Sequence, residues 1–190
     1  MADHVLDAAK IVFTRTGFSS ATLTAIAEQA RVSPGAIYRR WTSKREIVVA
    51  VVRRDLHTEA ARIRHQILDR CDLDTVVIDT FTALYLFMRS HPLVGASLVG
   101  GAAVDPSGSS VGNSPVFGTA GQLFTDLVAE AASARGARVT DPEWLGEVVQ
   151  RLIHSLVVTP SERMQLTTGE TVGRYARAVV LPIVHVVTHT

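Results

Sequence analysis

The stretch from Leu23 to Lys44, which reads LTAIAEQARVSPGAIYRRWTSK, constrains the fold of this chain more than any other. Apolar residues recur at helical spacing on both sides of a break at residues 30–33. At this break Ser33 can accept a hydrogen bond from a free backbone N–H group of a new helix, and Pro34 suits its first turn. The pattern therefore predicts two short helices joined by a tight turn, which is a helix-turn-helix.

Caps and helical periodicity continue along the rest of the chain, and no segment has the pattern of a β-hairpin. Ser43 and Glu46 fit a complete capping box, Asp74 and Asp141 fit N-caps, and Pro182 is expected to kink the last helix. The predicted helical segments are 3–16, 23–30, 34–41, 44–68, 75–90, 93–99, 116–134, 142–158 and a last one from Thr168 or Thr171 to Thr188. The fold class is all-α, with about nine helices.

Positive charge is concentrated at the start of the chain. Residues 1–54 carry nine Lys and Arg against four Asp and Glu, a net charge of +5, whereas the whole chain carries +1. The remaining residues are therefore acidic overall. A basic head on an acidic body is typical of a protein that binds a polyanion at one end, and here we expect DNA.

Small side chains fill the first turn of the predicted third helix, at residues 33–36, so its backbone can approach base edges and thymine methyl groups. Tyr38 can give its hydroxyl to a phosphate. Arg39 and Arg40 can reach base edges or the phosphate backbone, although adjacent arginines are also common on a solvated helix face. Lys44 lies at a helix N-terminus, where free N–H groups also attract phosphate.

Residues 17–47, GFSSATLTAIAEQARVSPGAIYRRWTSKREI, resemble the DNA-binding head of the tetracycline-repressor (TetR) family over about a quarter of the chain. The resemblance rests on a dense block of matching positions: Gly17-Phe18, Thr22, Ile26-Ala27, Ala30, Val32-Ser33, Gly35, Ile37-Tyr38, Trp41 and Ser43-Lys44. It implies an all-helical homodimer with a three-helix head, a variable ligand-binding body and a dimer interface formed by the last two long helices.

The resemblance also implies roles within the head. Phosphate contacts are implied for Thr22, Tyr38 and Lys44, and groove-facing positions for Thr24, Pro34, Gly35, Ala36 and Arg39. Thr24 departs from the family pattern, since many members carry a longer polar or basic side chain there. The candidate DNA-binding residues are Thr22, Thr24, Ser33, Pro34, Gly35, Ala36, Tyr38, Arg39, Arg40, Trp41 and Lys44. We assign residues 1–47 to the DNA-binding head and residues 48–190 to the ligand-binding and dimerisation body.

A dimer is also expected from geometry. One head buries too little surface for specific recognition, whereas two heads about 34–36 Å apart would read a pseudo-palindromic operator. The apolar positions of the two C-terminal helices are the candidate interface: Leu145, Val149, Leu152, Leu156, Val172, Tyr175, Val179 and Ile183. The alternative is that these positions belong to the core of a single protomer.

An effector is expected among the middle helices, because pockets form between the helices of bundles. The candidate effector-binding residues are Phe81, Tyr85, Met88, Phe117, Phe124, Trp144 and His154. Since this set is mainly apolar, a small hydrophobic effector is expected. Each residue taken alone also fits an ordinary core position.

Other chemistry fits the sequence poorly. Ser110 lies in a G-x-S-x-G pattern at residues 108–112, but a loop rich in Pro, Gly and Ser surrounds it instead of the strand and helix that this chemistry requires. His185 and His189 are four residues apart without a nearby acid or Cys, and Cys71 has no second cysteine to pair with. We therefore expect no catalytic site, metal site or cofactor.

The sequence predicts no membrane span, because no run of about 18 uncharged apolar residues is present. The N-terminus lacks the pattern of a signal peptide, and a single cysteine fits a reducing cytoplasm. We expect a cytoplasmic transcriptional regulator that represses by binding double-stranded DNA and is released by its effector. The alternative is a small-molecule binding protein whose head no longer binds DNA, although the positive charge of the head argues against it.

Overall fold

The computed structural model describes residues 2–67, 72–99 and 115–189. The interpretations placed on Cys71 and on Ser110 concern residues outside these ranges. The helices are α1 Ala2–Ser20, α2 Leu23–Gln29, α3 Pro34–Tyr38, α4 Lys44–Ile67, α5 Leu73–Ser90, α6 Pro92–Val99, α7 Pro115–Ser133, α8 Pro142–Val158, α9 Gly169–Tyr175 and α10 Leu181–Val186. The predicted all-α class is confirmed.

The last helix is interrupted before Pro182. A five-residue π-helical segment, Ala176–Val180, connects α9 to α10, and Pro182 lies in the first turn of α10. Proline lacks an N–H group and its ring crowds the preceding turn, so the local change of helical pitch is a physical consequence of its position. With α9, this segment and α10 counted as one helix, the described residues hold nine helices.

Side-chain caps fix where several helices begin. The predicted caps are present at Ser33, Asp141 and Thr168, each accepting a backbone N–H bond three residues on. Asp72, and not Asp74, caps α5, since its carboxylate accepts from the Thr75 backbone N–H at 2.9 Å. Cap chemistry alone does not distinguish two acids that lie two residues apart.

The capping box at the start of α4 is displaced by one residue. Ser43 Oγ accepts from the Glu46 N–H at 3.2 Å, as predicted. The Glu46 carboxylate accepts from the backbone N–H and the hydroxyl of Thr42, at 2.7 and 2.6 Å. These bonds lower the pKa of Glu46 from its ordinary value.

Gly17 interrupts α1 with φ 76° and ψ 160°. Its position at the end of the first predicted helix favours a left-handed helical C-cap, but its ψ lies far outside that region. The observed conformation is open essentially to glycine alone. It allows one more turn, Phe18–Ser20, before the chain enters α2.

A two-residue antiparallel pairing closes the C-terminal end of the chain. Strand β1, Arg138–Val139, pairs with strand β2, Thr188–His189, so that Arg138 lies opposite His189. Nothing in the local sequence indicated this contact, since the two strands are about fifty residues apart. None of the helices in the described part of the chain combines the length and the apolar character needed to cross a bilayer.

The described residues form two compact units. The first comprises Met1–Asp55 and His91–Val116, and the second comprises Leu56–Ser90 and Phe117–Thr190. In the first unit the core is formed by fully buried side chains of α1–α4, including Val12, Ile26, Ile37 and Ile47. The division between a head at 1–47 and a body at 48–190 remains a prediction.

Candidate DNA-binding surface and effector site

The turn between α2 and α3 presents α3 on the surface of the head. Arg31 takes a positive φ of 52°, and the Val32 N–H donates to the Ala27 carbonyl at 3.0 Å, which closes the end of α2. Ile37 of α3 is fully buried and anchors the helix, whose opposite side is solvent-accessible. The helix ends at Tyr38, three residues earlier than predicted.

Most of the predicted DNA-binding residues are solvent-exposed, on α3 or close to its ends and at the start of α2. Tyr38 is 54% exposed, which is unusual for so large a side chain and leaves its hydroxyl available to a phosphate. A Cβ atom placed on Gly35 would lie 3.9 Å from Arg39 Nη1, so the guanidinium group approaches the first turn of α3. The exposed candidates are Thr22, Thr24, Ser33, Pro34, Gly35, Tyr38, Arg39 and Arg40, with Ala36 partly accessible.

Two of these candidates also hold the backbone in place. Thr22 Oγ1 accepts from the Ala25 N–H at 3.0 Å, and Ser33 Oγ accepts from the Ala36 N–H at 3.3 Å. Each hydroxyl retains its own proton for a further bond. Both residues are therefore placed to fix the helix starts and to donate to a phosphate at the same time.

The structure corrects the assignment of Trp41. Its indole is only 8% exposed and packs inside the head, so it supports the surface instead of forming it. The Arg40 guanidinium lies 5.3 Å from the Trp41 ring centroid. This cation–π contact restricts the direction of Arg40, which remains exposed beside Arg39.

Lys44 has an internal role that the sequence did not predict. Its Nζ donates to the backbone carbonyls of Phe18 and Ser19, at 2.9 and 3.0 Å, and lies 5.0 Å from the Phe18 ring centroid. A cation at these carbonyls stabilises the end of α1. The predicted phosphate contact would have to compete with these bonds or use the third N–H of the ammonium group.

Asp55 is the centre of a charged cluster within the first unit. Its carboxylate contacts Lys10 Nζ at 2.7 Å, Arg54 Nη2 at 3.0 Å and His91 Nε2 at 3.2 Å. Arg54 also contacts Asp7 at 2.8 Å. Burial alone would raise the pKa of Asp55, but the three hydrogen bonds outweigh burial and hold the pKa below its ordinary value of 3.8.

His91 joins this cluster as a neutral ring. Its Nδ1 accepts from the Leu93 backbone N–H at 3.2 Å, so the ring proton belongs on Nε2, which donates to Asp55. Burial lowers the pKa of His91 from its ordinary value of 6.5, although the neighbouring carboxylate opposes the shift. Sequence analysis missed this cluster, because its members come from α1, α4 and the connection between α5 and α6 and share no local motif.

The predicted effector-binding residues divide into a buried cluster and an exposed outlier. Phe81 is central, with ring centroids 6.3 Å from Tyr85, 6.4 Å from Phe124 and 6.0 Å from Tyr175. Met88 and Phe117 are also fully buried in the second unit. Trp144 is wrong as a member of this cluster, because its side chain is 44% exposed on α8.

His154 is the titratable imidazole of the predicted set. Its ring lies 4.8 Å from Phe117 in an edge-to-face arrangement, and burial lowers its pKa from the ordinary value of 6.5. The Nε2 atom is buried and has no hydrogen-bond partner among the residues that the structure describes. An unpaired buried polar atom is costly, so this nitrogen is suited to hydrogen bonding with a ligand.

Two cavities open in the second unit. One of about 550 Å³ lies between α4 and α5 and is lined in part by Ile63, Leu86 and Phe87. The other, of about 420 Å³, is lined by α5, the end of α8 and the connection that follows it. Of the seven predicted effector-binding residues, Tyr85 lines the second cavity and none lines the first. Arg89, which also lines the second cavity, was missed although it lies one helical turn after Tyr85.

The predicted dimer interface also needs correction. Leu145, Val149, Leu156 and Val172 are each at most 7% exposed within one protomer, so they belong to its own core. A helix has apolar positions facing its own core as well as a partner, and periodicity alone does not separate the two faces. The remaining candidates, which are partly accessible, are Leu152, Tyr175, Val179 and Ile183.

The two C-terminal histidines do not converge on a common ligand. His185 Nε2 contacts Asp74 Oδ1 at 2.8 Å, whereas His189 lies in β2. Within the described residues no group of three His, Cys, Asp or Glu side chains is arranged to hold a metal ion.

Comparison with known proteins points to one family. Residues 5–51 match the family described as bacterial regulatory proteins, tetR family. The HTH-type transcriptional regulator UidR of Escherichia coli is 35% identical over 64 residues, which make up 34% of this chain and 33% of UidR. The matching stretch therefore spans about a third of the length of this curated relative.

Solved structures resemble the chain over nearly its full length. The TetR family repressor AlkX from Dietzia sp., implicated in biodegradation of n-alkanes, covers 98% of this chain and 96% of its own with a TM-score of 0.68. The transcriptional regulator FadR from Bacillus subtilis, in complex with stearoyl-CoA, covers 94% and 98% with a TM-score of 0.53. At 15% and 12% identity, these likenesses show a shared fold. Residues 5–51 therefore match the tetR family of bacterial regulatory proteins, and the chain as a whole shares the fold of the TetR family repressor AlkX.

Proposed function

We propose that this protein is a cytoplasmic transcriptional repressor that binds double-stranded DNA as a homodimer and is released by a small hydrophobic effector. The observation that carries the proposal is the accessible side of α3, where small residues at 34–36 lie next to exposed Tyr38 and Arg39. Backbone and small side chains can approach bases there, while the hydroxyl and the guanidinium reach phosphate or base edges.

The charge distribution supports the same partner. The first 54 residues carry +5, and three of their cations, Lys10, Lys44 and Arg54, make internal contacts in the first unit. Arg39 and Arg40 are exposed at the end of α3 and are available to DNA. Internal contacts of these three cations thus leave Arg39 and Arg40 among the cations of the head that can reach a phosphate near the predicted recognition surface.

Binding to the DNA that flanks the protein's own gene tests the proposal directly. Fluorescence anisotropy should give specific binding to this DNA at low salt, and affinity should fall as salt rises because phosphate contacts release counterions. Binding no tighter than to an unrelated duplex of equal length would contradict the proposal. That result would instead favour a small-molecule binding protein with a non-functional head.

Two substitutions should separate phosphate contacts from base contacts. Tyr38→Phe removes one hydroxyl and should lower the affinity for the specific and the non-specific duplex by the same factor. Arg39→Gln should lower the affinity for the specific duplex by about tenfold, because a base-edge contact is worth roughly 1–3 kcal/mol. The ratio of specific to non-specific affinity should fall with it. Arg151→Gln, which alters an exposed arginine of α8, should leave both affinities unchanged. Equal loss in all three variants would refute the proposed docking.

The homodimer is proposed to use the accessible apolar side chains of α8 and of the last helix. Leu152, Val179 and Ile183 are partly accessible in one protomer, and Val186 is 70% exposed. Burying such side chains against a second copy would remove apolar surface from water. Symmetric pairing would also place two heads for a pseudo-palindromic operator.

Introducing a charge into this surface should dissociate the dimer. Ile183→Glu is expected to convert the protein to monomers in sedimentation velocity at micromolar concentration, because a buried, unpaired carboxylate is costly. Ile11→Glu is the matched control, since Ile11 is 51% exposed on α1 in the first unit. If Ile183→Glu remains a dimer, the dimer interface does not include Ile183 and lies on another surface.

The effector is proposed to bind in the second unit. The buried aromatic cluster around Phe81 and the unpaired His154 Nε2 support a mainly apolar ligand with few polar contacts. The stearoyl-CoA complex of the similarly folded FadR supports an effector with an extended apolar part. Effector binding would favour a conformation with lower DNA affinity, and the two binding free energies would be reciprocally coupled.

A further inference from the structure

The second cavity combines apolar walls with one cation. Its volume is about 420 Å³, and Leu156, Pro160 and Leu166 supply apolar surface, while Tyr85 and Arg89 line it from α5. Such a mixture of apolar surface and a few placed polar groups is typical of a small-molecule site.

Arg89 is oriented by a short chain of hydrogen bonds. Its Nη1 donates to the Tyr85 hydroxyl at 3.4 Å, and that hydroxyl donates to the Leu166 carbonyl at 3.2 Å. Tyr85 is only 1% exposed, so its hydroxyl provides a fixed support. A guanidinium held in this way loses less side-chain entropy when it pairs with an anion.

Within the part of the chain that the structure describes, no ion pair joins Arg89 to a carboxylate, although Glu162 lines the same cavity. Arginine can present two parallel N–H groups to a carboxylate, a geometry that lysine lacks. The cavity thus offers one unused cation beside an apolar wall.

The connection between α8 and α9 is strained at the same place. Gln165, which lines the cavity, has a φ of 43°, in the left-handed region that a residue with a long side chain rarely adopts. The Thr167 N–H donates to the Gln165 carbonyl at 2.8 Å and helps to keep this conformation. Backbone strain of this kind accumulates at ligand-binding positions.

We propose that this cavity binds a small organic carboxylate with an apolar part. Arg89 pairs with the carboxylate, and Leu156 and Leu166 cover the apolar part. A monoanion is favoured over a phosphate dianion because Glu162 offsets the charge of Arg89 within the cavity. The inference rests on the proposed function, since the bound acid would be the effector. It would reach the aromatic cluster around Phe81 through Tyr85, whereas His154 does not line this cavity.

Isothermal titration calorimetry with defined probes tests the site without DNA. The probes are acetate, benzoate and octanoate, each paired with its uncharged amide: acetamide, benzamide and octanamide. Octanoate or benzoate should bind the full-length protein more tightly than its amide, and acetate should bind most weakly because it lacks an apolar part. Failure of all three acids to bind, or equal binding of acid and amide, would overturn the proposal.

Substitutions locate the binding. Arg89→Gln should weaken the best acid by about 10- to 100-fold, and Arg89→Lys should restore only part of the loss, since lysine keeps the charge without the planar fork. Arg151→Gln, with the same chemical change on exposed α8, should bind like the unmodified protein. If Arg89→Gln keeps its helical circular dichroism and binds the acid with unchanged affinity, this cavity is not the binding site. If inorganic phosphate binds the unmodified protein more tightly than the best acid, the proposal of a carboxylate ligand is wrong.

A separate DNA measurement distinguishes this site from the proposed function. If the acid binds through Arg89 and also lowers DNA affinity, both proposals are supported. If it binds through Arg89 while the protein has no specific DNA affinity, the site is retained and the repressor function is rejected. If specific DNA binding is present and no acid binds, the carboxylate site is rejected and the repressor function is retained.

Discussion

Replacing Gly121 with alanine is expected to lower the free energy of unfolding by about 2 kcal/mol, and replacement with valine by more than that. A Cβ atom at Gly121 would lie 2.4 Å from the backbone carbonyl oxygen of Gly146 and 3.0 Å from Gln150 Cβ. Real Cβ atoms do not approach a carbonyl oxygen so closely. Helices α7 and α8 would therefore have to separate, and the packing of the second unit would loosen.

The size of this effect follows from two opposing contributions. Alanine favours a helix over glycine by about 1 kcal/mol, which partly offsets the steric cost at Gly121. The obstacle is backbone, which cannot rotate away as the end of a flexible side chain can. Gly146 faces the same contact from α8, since a Cβ there would lie 3.7 Å from the Gly121 carbonyl oxygen and 3.3 Å from Thr125 Oγ1. Steric cost should therefore exceed the gain in helix propensity.

Gly118→Ala is the matched control on the same helix. A Cβ at Gly118 would lie 3.4 Å from Gln150 Oε1, an ordinary van der Waals distance to the end of a side chain. Its stability should stay within about 0.5 kcal/mol of the unmodified protein or rise slightly. Urea denaturation followed by circular dichroism measures both variants. Equal stability of Gly118→Ala and Gly121→Ala would show that the two helices are not in close contact.

Local chemistry made much of the fold predictable. Ser33, Asp141 and Thr168 act through hydrogen bonds within three residues, so their capping roles can be recognised in a sequence window. The exposed side of α3 follows from the same short-range pattern, with Ile37 inward and Tyr38 outward. Recognition of the head therefore required no knowledge of tertiary structure.

Short-range sequence patterns do not predict contacts between segments that are distant in the chain. The position of Lys44 at the start of α4 predicts a phosphate contact, yet its ammonium group donates to carbonyls 25 and 26 residues earlier. Leu145 and Val149 were assigned to a partner although they pack inside one protomer. Helical periodicity shows that a face is apolar, but only tertiary structure shows what covers it.

Asp55→Asn is expected to lower the free energy of unfolding at neutral pH by about 2 to 3 kcal/mol. The Asp55 side chain is 13% exposed and its carboxylate contacts Lys10, Arg54 and His91. An amide keeps the shape but removes the charge, so partly buried cations would lose their counter-ion. This loss of stability is smaller than the loss expected on breaking a fully buried ion pair, because the Lys10 side chain is 43% exposed and water screens its charge.

The pH dependence gives this prediction a distinctive sign. Because the folded-state pKa of Asp55 is lowered, its stabilisation is fully present above the ordinary value of 3.8 and is lost as the pH falls through the lower folded-state pKa. The stability difference between the unmodified protein and Asp55→Asn should therefore narrow below about pH 3.8. Burial lowers the pKa of His91, so the unmodified protein should also begin to lose stability as the pH falls below 6.5.

Asp126→Asn provides the control, because Asp126 is exposed on α7 and accepts one side-chain bond, from Gln122 at 2.8 Å. Its effect at neutral pH should be below about 0.5 kcal/mol. Urea midpoints at about pH 7, 5 and 3.5 give the comparison. A difference in unfolding free energy between Asp55→Asn and the unmodified protein that stays constant to the lowest pH would mean that altered hydrogen bonding, and not lost charge, causes the destabilisation. If the difference in unfolding free energy narrows at low pH, the charge of Asp55 stabilises the contact between α1, α4 and the start of α6 within the first unit.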